Sequence, residues 1–213
     1  MKIKWLGHAS FLITSKNGTK IITDPYKPGG PLKYGELKES ADVVTVSHEH
    51  GDHNNAEVIG GNPQVLRASA KVKGIQFKAV PAHHDASGGK ERGTSTIFCF
   101  EVDGVKVCHL GDLGRQLTAE EVKAVGKVDI LLTPVGGYYT IDADGATNVC
   151  EMLSPRIVIP MHFKNDKCAY PLSEVEDFLK DKQNIHRLGS SEKEFNAGDM
   201  PEKSEVLLMG SAY

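Results

Sequence analysis

Three histidines and one aspartate stand within six consecutive positions of this chain, as His48, His50, Asp52 and His53. They follow a run over 43–46 that is apolar on both faces, as expected of a buried strand. Imidazole and ionised carboxylate both bind zinc, at about 2 Å. The segment therefore predicts a metal site at the carboxyl end of a strand, which is where α/β proteins place their ligands.

The spacing within this segment predicts two groups of ligands. Alternate residues of an extended segment point the same way, so His48, His50 and Asp52 can converge. A bend at Gly51 would let His53 swing round beside Asp52. A catalytic zinc usually takes three protein ligands, so one short segment cannot complete two sites. The remaining ligands must come from later in the chain.

Further candidate ligands recur where predicted strands end. They are His83 or His84, then Asp112, then His162. A single histidine in such a place is more often an ordinary buried or surface residue. Repetition at several strand ends instead favours one shared site that holds two metal ions.

Composition restricts the other possibilities. The 213 residues suit a single domain spanning 1–213, and a net charge of −3 gives no basic footprint for nucleic acid. Cysteines are scattered singly at 99, 108, 150 and 168, which fits a reducing, cytoplasmic location. We expect neither a signal peptide nor a membrane span, because Met1 to Trp5 lead into Gly7-His8 and no apolar run approaches 18 residues. No feature specifies an oligomeric state.

The order of predicted elements changes along the chain. It opens as a β-meander, with Lys16-Asn17-Gly18 as a hairpin signal, and later alternates between strands and helices. Three helix starts are predicted: capping boxes at Thr118-x-x-Glu121 and Ser173-x-x-Glu176, and Asp142 as the cap of a helix reaching about Leu153.

Several segments together resemble the metallo-β-lactamase superfamily of hydrolases, over nearly the whole chain. The branch they resemble contains small single-domain enzymes similar to ascorbate-phosphate lactonases. The resemblance implies an α+β fold, a four-layer αβ/βα sandwich of two mixed β-sheets flanked by helices, with the site along one edge. The segments that carry it are Leu6-Gly7-His8-Ala9-Ser10, Thr23-Asp24-Pro25, His48 to His53, Pro81 to His84, His109-Leu110-Gly111-Asp112 and Ile159-Pro160-Met161-His162.

The resemblance also implies how two divalent metal ions are held. One ion is assigned to His48, His50 and His84, the second to Asp52, His53 and His162, and Asp112 bridges them. His84 is preferred to His83 because this branch usually carries an aromatic residue just before the ligand histidine, and adjacent extended residues cannot both face one metal. Zinc is the expected metal, and manganese or iron also suit mixed nitrogen and oxygen ligands.

Other residues are candidates for supporting roles. His8 and Asp24 are expected to orient ligand imidazoles, although a buried hydrogen bond and a strand-end cap are equally good interpretations. Tyr138 and Tyr139 are candidates for the substrate pocket, with packing as the alternative. Lys164 is expected either to meet an anionic group or to be a solvated loop residue.

The expected activity is metal-dependent hydrolysis of a small ester, a phosphodiester or a lactone. A hydroxide shared by two metals is the nucleophile, and Asp52 orients it and carries its proton. Two divalent metals ligated by two aspartates leave about two net positive charges, which favours an anionic small-molecule substrate. The alternatives are a metal-binding or sensing protein without turnover, and an iron-dependent redox protein on the same ligands.

Overall fold

Strands dominate the fold, which a computed structural model describes over residues 1–213. Two 3-10 turns, at Ala56–Val58 and Ala197–Asp199, interrupt the loops. The three helices are α1 (Ala119–Val125), α2 (Ala143–Leu153) and α3 (Val175–Leu179). The strands, in chain order, are β1 (Lys2–Gly7), β2 (Ser10–Thr14), β3 (Lys20–Thr23), β4 (Val43–Thr45), β5 (Gln64–Leu66), β6 (Ala70–Val72), β7 (Ile75–His83), β8 (Thr94–Val102), β9 (Val105–His109), β10 (Ile130–Pro134), β11 (Ile157–Met161), β12 (Ile185–Arg187), β13 (Glu192–Glu194) and β14 (Glu205–Leu208).

The strands form two mixed sheets. The six-stranded sheet has the order β13-β1-β2-β3-β4-β5, and the eight-stranded sheet has the order β12-β14-β11-β10-β9-β8-β7-β6. The opening meander is antiparallel, whereas β3, β4 and β5 run parallel. In the larger sheet, β6, β7, β8 and β9 are each antiparallel to the next in sequence. The remaining pairs, β9-β10, β10-β11, β11-β14 and β14-β12, are parallel.

Strands of the six-stranded sheet are apolar on both faces because each face packs against a different hydrophobic cluster. Phe11 and Ile13 of β2 join a cluster of 44 buried residues that draws on both sheets, while Leu12 joins a second cluster of 14. Ile21 and Ile22 of β3 divide in the same way. Full burial of such side chains contributes about 1.5–3 kcal/mol each. Both faces of this sheet are therefore covered.

The predicted αβ/βα sandwich of two mixed sheets is confirmed, with one local difference. All three α-helices follow strands of the eight-stranded sheet, and α2 packs near β10 and α3. The outer face of the six-stranded sheet is instead covered by the loop before β4 and by the turn at Ala56–Val58. Tyr26, Leu32, Tyr34 and Leu37 of that loop are buried there.

Two of the three predicted helix starts are confirmed. Thr118 and Glu121 form the reciprocal capping box of α1, and the Asp142 carboxylate accepts from the Gly145 N–H at 2.8 Å. The prediction of a capping box at Ser173 is wrong, because α3 begins at Val175. Its N-cap residue is Glu174, whose side chain makes no capping hydrogen bond. The Ser173 backbone pairs instead with Lys164 and Gly136, so tertiary pairing overrides the local signal.

Strand direction brings the polar segments to one edge of each sheet. In the six-stranded sheet β1, β3 and β4 run the same way, as do β7, β9 and β11 in the other. Their carboxyl ends therefore open on one edge. The residues that follow them there are His8, Asp24, His48 to His53, His84, Asp112 and His162.

Candidate metal centre

Three histidines from two loops form the first group of ring nitrogens. One nitrogen from each of His48, His50 and His84 lies within 4.8 Å of the other two. His48 Nε2 and His50 Nδ1 are 2.9 Å apart. His84 is the first residue after β7, and His83 does not belong to the group. Three converging imidazoles match the ligand number of a catalytic zinc.

A second group lies beside the first. Ligand atoms of His8, Asp52, His53 and His162 all lie within 4.8 Å of one another. His8 Nε2 is 3.3 Å from Asp52 Oδ2, and the rings of His8 and His162 have centroids 4.1 Å apart. His8 therefore contacts both a carboxylate and an imidazole of the group.

The Asp112 carboxylate lies between the two groups. Its Oδ2 is 3.3 Å from His84 Nε2 and 3.8 Å from His48 Nε2 on one side. It is also 3.4 Å from His162 Nε2 on the other side, and Oδ1 is 3.2 Å from His53 Nε2. Asp112 therefore lies within 3.8 Å of histidines from both groups.

Unsatisfied polar atoms indicate what this arrangement is suited to hold. His53 Nε2, His84 Nε2 and Asp112 Oδ1 are buried and have no hydrogen-bond partner. Leaving a buried polar atom unpaired costs about 1–3 kcal/mol, and more when the group is charged. Cations coordinated at these lone pairs would remove that cost. The donor set of imidazoles and carboxylates therefore fits divalent metal ions.

A buried hydrogen-bond network orients His48 and His53 through their Nδ1 atoms. Asp24 Oδ2 accepts from His53 Nδ1 at 2.8 Å and from the Ser47 hydroxyl at 2.5 Å. Asp24 Oδ1 accepts from the Ser47 N–H, and Ser47 Oγ lies 2.9 Å from His48 Nδ1. The predicted role of Asp24 in orienting a ligand imidazole agrees with this geometry. Such partners hold the ring so that its other nitrogen faces the metal.

Protonation states at the site suit metal binding. Burial lowers the pKa of His48 to about 3 and that of His8 to about 4, so both rings are neutral near pH 7. Burial opposes ionisation of Asp112, but the surrounding histidines hold its pKa well below the ordinary value. Burial also disfavours charge on His53, yet the Asp112 and Asp52 carboxylates raise its pKa. A cation at His53 Nε2 would take the place of the proton that these carboxylates favour.

Close backbone contacts bring the ligand loops together. A Cβ at Gly114 would overlap the backbone of His84, and the Gly114 N–H donates to the His83 carbonyl at 2.9 Å. A Cβ at Gly136 would overlap the His162 carbonyl. Neither position could carry a larger residue without moving a histidine of the centre.

A cavity of about 350 Å³ opens onto the two groups. Arg92, Tyr139 and Tyr170 line its walls in addition to the candidate ligands. Burial raises the pKa of Tyr170 to about 12, so its phenol keeps its proton. The full lining is His50, Gly51, Asp52, His84, Arg92, Asp112, Tyr139, His162 and Tyr170.

A larger groove of about 850 Å³ lies elsewhere, between α2, α3 and the strands they cover. Its lining includes Thr147, Cys150, Phe178 and Lys182 and contains none of the clustered histidines. The candidate metal centre is therefore identified by the convergence of potential ligand atoms and not by cavity size.

Two residues predicted for the substrate pocket do not line it. Tyr138 is 72% exposed, and its ring instead packs edge-on against Tyr139 with centroids 4.6 Å apart. Lys164 lies in a separate depression and is 3.9 Å from Glu174. Tyr139, next to Tyr138, lines the cavity, and Phe163, next to Lys164, is buried in the core. The conformation of each loop therefore decides which side chain faces the solvent.

Three residues at the site were not singled out from the sequence. Arg92 lies in the loop between β7 and β8, and nothing in the sequence marked the arginine itself. Ser47 directly precedes His48, so its position offered a signal for a supporting role. Tyr170 had none, because it reaches the cavity from a loop far along the chain.

Comparisons with known proteins show the class to which this fold and site belong. A family model described as "Beta-lactamase superfamily domain" matches residues 2–162. A UPF0173 metal-dependent hydrolase of Archaeoglobus fulgidus is 33% identical over 84% of this chain and 90% of its own. Another from Carboxydothermus hydrogenoformans is 31% identical over 94% and 99%. A Thermotoga maritima structure, classed with zinc-dependent hydrolases of the metallo-β-lactamase superfamily, covers 98% of this chain and 97% of its own, with TM-score 0.81 and 37% identity.

The chain therefore belongs to the beta-lactamase superfamily, within which it stands among metal-dependent hydrolases. No helix has the length and apolar character needed to cross a membrane.

Proposed function

We propose that this protein is a hydrolase that uses two divalent metal ions to cleave a small ester, either a phosphodiester or a lactone. The observation that carries the proposal is the position of Asp112, whose oxygens lie 3.2–3.8 Å from the Nε2 atoms of four histidines. A carboxylate buried at the junction of two ligand groups is suited to bridging two cations.

The proposed ligands are drawn from the two groups and include Asp112, which lies between them. Zinc is the proposed metal, because the donors are imidazoles and carboxylates. His48, His50 and His84 would hold one ion; Asp52, His53 and His162 would hold the second; and Asp112 would bind both.

Two adjacent divalent ions, when bound, lower the pKa of water toward neutrality and polarise the carbonyl or phosphoryl oxygen of a substrate. The chain supplies positioning and proton transfer. Asp52 lies on the cavity wall, and its carboxylate is the group proposed to orient the attacking water and accept its proton. His8 contacts the same carboxylate at 3.3 Å and would fix its direction.

The supporting network limits movement of the ligands during the reaction. Asp24 is fully buried and ties His53 to Ser47, which in turn contacts His48. One carboxylate thus orients a histidine in each ligand group. We propose that this coupling keeps one histidine of each group oriented toward the ion that it would hold, since an imidazole hydrogen-bonded through its other nitrogen cannot rotate away.

Removal of metal tests the proposal most simply. A chelated, metal-free sample should hydrolyse no member of a panel of phosphodiesters and lactones, and added zinc or manganese should restore turnover. Metal content measured alongside the rate links the two observations. Turnover that persists in a verified metal-free sample would contradict the proposal. A protein that holds both metals but is inactive on the whole panel would instead be a binding or sensing protein.

A further inference from the structure

We infer that Arg92 binds an anionic group of the substrate that is separate from the ester bond under attack. The inference rests on the proposed function and narrows its substrate class. It predicts a small ester that carries a second oxyanion, a carboxylate or a phosphate, in place of a neutral lactone. Arg92 lines the cavity together with Asp52, His84, Asp112 and His162.

Arg92 differs from the other arginines in its contacts. The chain contains five arginines, and Arg67, Arg115 and Arg187 each form an ion pair with a glutamate. The guanidinium of Arg156 donates to the Pro201 carbonyl at 2.8 Å. The Arg92 guanidinium has neither an ion-pair nor a hydrogen-bond partner within the protein, although the residue is half-buried. Its N–H donors are therefore available to a ligand in the cavity.

An aromatic ring supports the face of the Arg92 guanidinium. The guanidinium carbon lies 4.0 Å from the centroid of the Tyr139 ring. Tyr139 is itself packed edge-on against Tyr138 and Tyr170, at centroid distances of 4.6 and 5.8 Å. Stacking on a ring uses the face of a guanidinium and leaves the N–H groups at its edge free. The planar fork is thus presented to the cavity with little freedom to rotate.

The backbone of Arg92 is tied to the metal centre. The Asp85 carboxylate accepts from the Arg92 N–H at 2.8 Å, and Asp85 directly follows His84. The same carboxylate accepts from the N–H groups of Ser87, Gly89 and Glu91. The His84 N–H donates to the Gly93 carbonyl at 3.0 Å. The loop that carries Arg92 is therefore fixed at both ends against the ligand His84.

Charge at the cavity points to the same class of ligand. The lining carboxylates, Asp52 and Asp112, are the ones proposed to bind metal, so no acidic side chain remains to neutralise Arg92. A guanidinium fork matches the paired oxygens of a carboxylate or phosphate, and such charge-assisted bonds are about twice as strong as neutral ones. A neutral substrate would leave this donor set unused.

Binding of non-hydrolysable phosphonates to the metal-loaded protein tests the inference. The first series consists of alkyl phosphonates of increasing chain length that end in a carboxylate. Calorimetry compares each of them with the neutral carboxamide of the same length. A second series, the α,ω-bisphosphonates, tests a phosphate-like group in place of the carboxylate. Wild-type protein should prefer at least one anionic probe by roughly ten- to hundredfold. Arg92→Gln should reduce that ratio to near one, Arg92→Lys should keep part of it, and the paired, exposed Arg187→Gln should leave it unchanged.

Metal content and plain butylphosphonate separate the two possible failures. If two ions are present and butylphosphonate binds, but the anionic preference is absent or survives Arg92→Gln, the inference is wrong and the metal centre stands. If neither metal nor butylphosphonate binds to the wild type, the proposed function fails and the inference fails with it. Arg92→Gln should not alter metal content, because its guanidinium forms no hydrogen bond or ion pair with a candidate ligand and stacks on Tyr139.

Discussion

Asp112→Asn is expected to lower the metal content from two ions per chain to one or none, and to reduce hydrolysis by roughly a thousandfold, about 4 kcal/mol of transition-state stabilisation. The amide keeps the size of the side chain but removes the negative charge and one acceptor oxygen. Both oxygens lie near histidine nitrogens, at 3.2 and 3.3–3.8 Å. Metal content by mass spectrometry and the rate on the best substrate measure the effect.

Asp129→Asn is the matched control for this substitution. Asp129 is also buried, and its carboxylate accepts from the Lys106 N–H at 2.9 Å, just before the start of β10 and away from the cavity. It should retain both ions and most of the activity, even where its thermal stability falls. Two tightly bound ions in Asp112→Asn would contradict the bridging role.

The second large effect is the selective loss of one ion. His84→Ala should lose the ion held by the first group, and His162→Ala the ion held by the second, so that each keeps about one ion per chain. Each should lose at least about a hundredfold in rate, because the pair of ions acts as a unit. Titration with zinc, followed by equilibrium dialysis, gives the number of sites that remain.

His83→Ala provides the control that separates the two adjacent histidines. His83 Nδ1 accepts from Arg115 Nε at 3.1 Å, and its side chain contacts none of the clustered nitrogens. This variant should keep two ions. The opposite result, a full complement in His84→Ala and the loss of one ion in His83→Ala, would overturn the choice of His84.

The features that sequence could predict are those set by short-range geometry. His48, His50 and Asp52 alternate along an extended segment, so their convergence depends on only a few backbone angles. Asp112 and His162 each follow an apolar strand, and strand direction within a mixed sheet brings such ends to one edge. The capping box at Thr118 is equally local, since its two hydrogen bonds join residues three positions apart.

The features that sequence missed depend on loop conformation. Arg92 reaches the cavity because Asp85 collects four backbone N–H groups, an arrangement no residue pattern specifies. The direction of His8 depends on a bulge between Trp5 and Gly7 and on its own left-handed φ of 50°. These place its ring beside the Asp52 carboxylate.

The adjacent tyrosines differ for a similar reason. Tyr138 adopts a left-handed φ of 59° in a turn where the Tyr139 N–H donates to the Gly137 carbonyl at 2.7 Å. That turn directs Tyr139 inward and leaves Tyr138 exposed. A residue pattern alone would not distinguish them, because the two side chains are chemically identical.

The measurement that tests the account most directly is anomalous X-ray diffraction from crystals of the zinc-loaded protein, at the zinc absorption edge. Two peaks are expected, one enclosed by His48, His50 and His84 and one by Asp52, His53 and His162, with Asp112 beside both. A single peak at saturating zinc, or a pair of peaks away from Asp112, would contradict it.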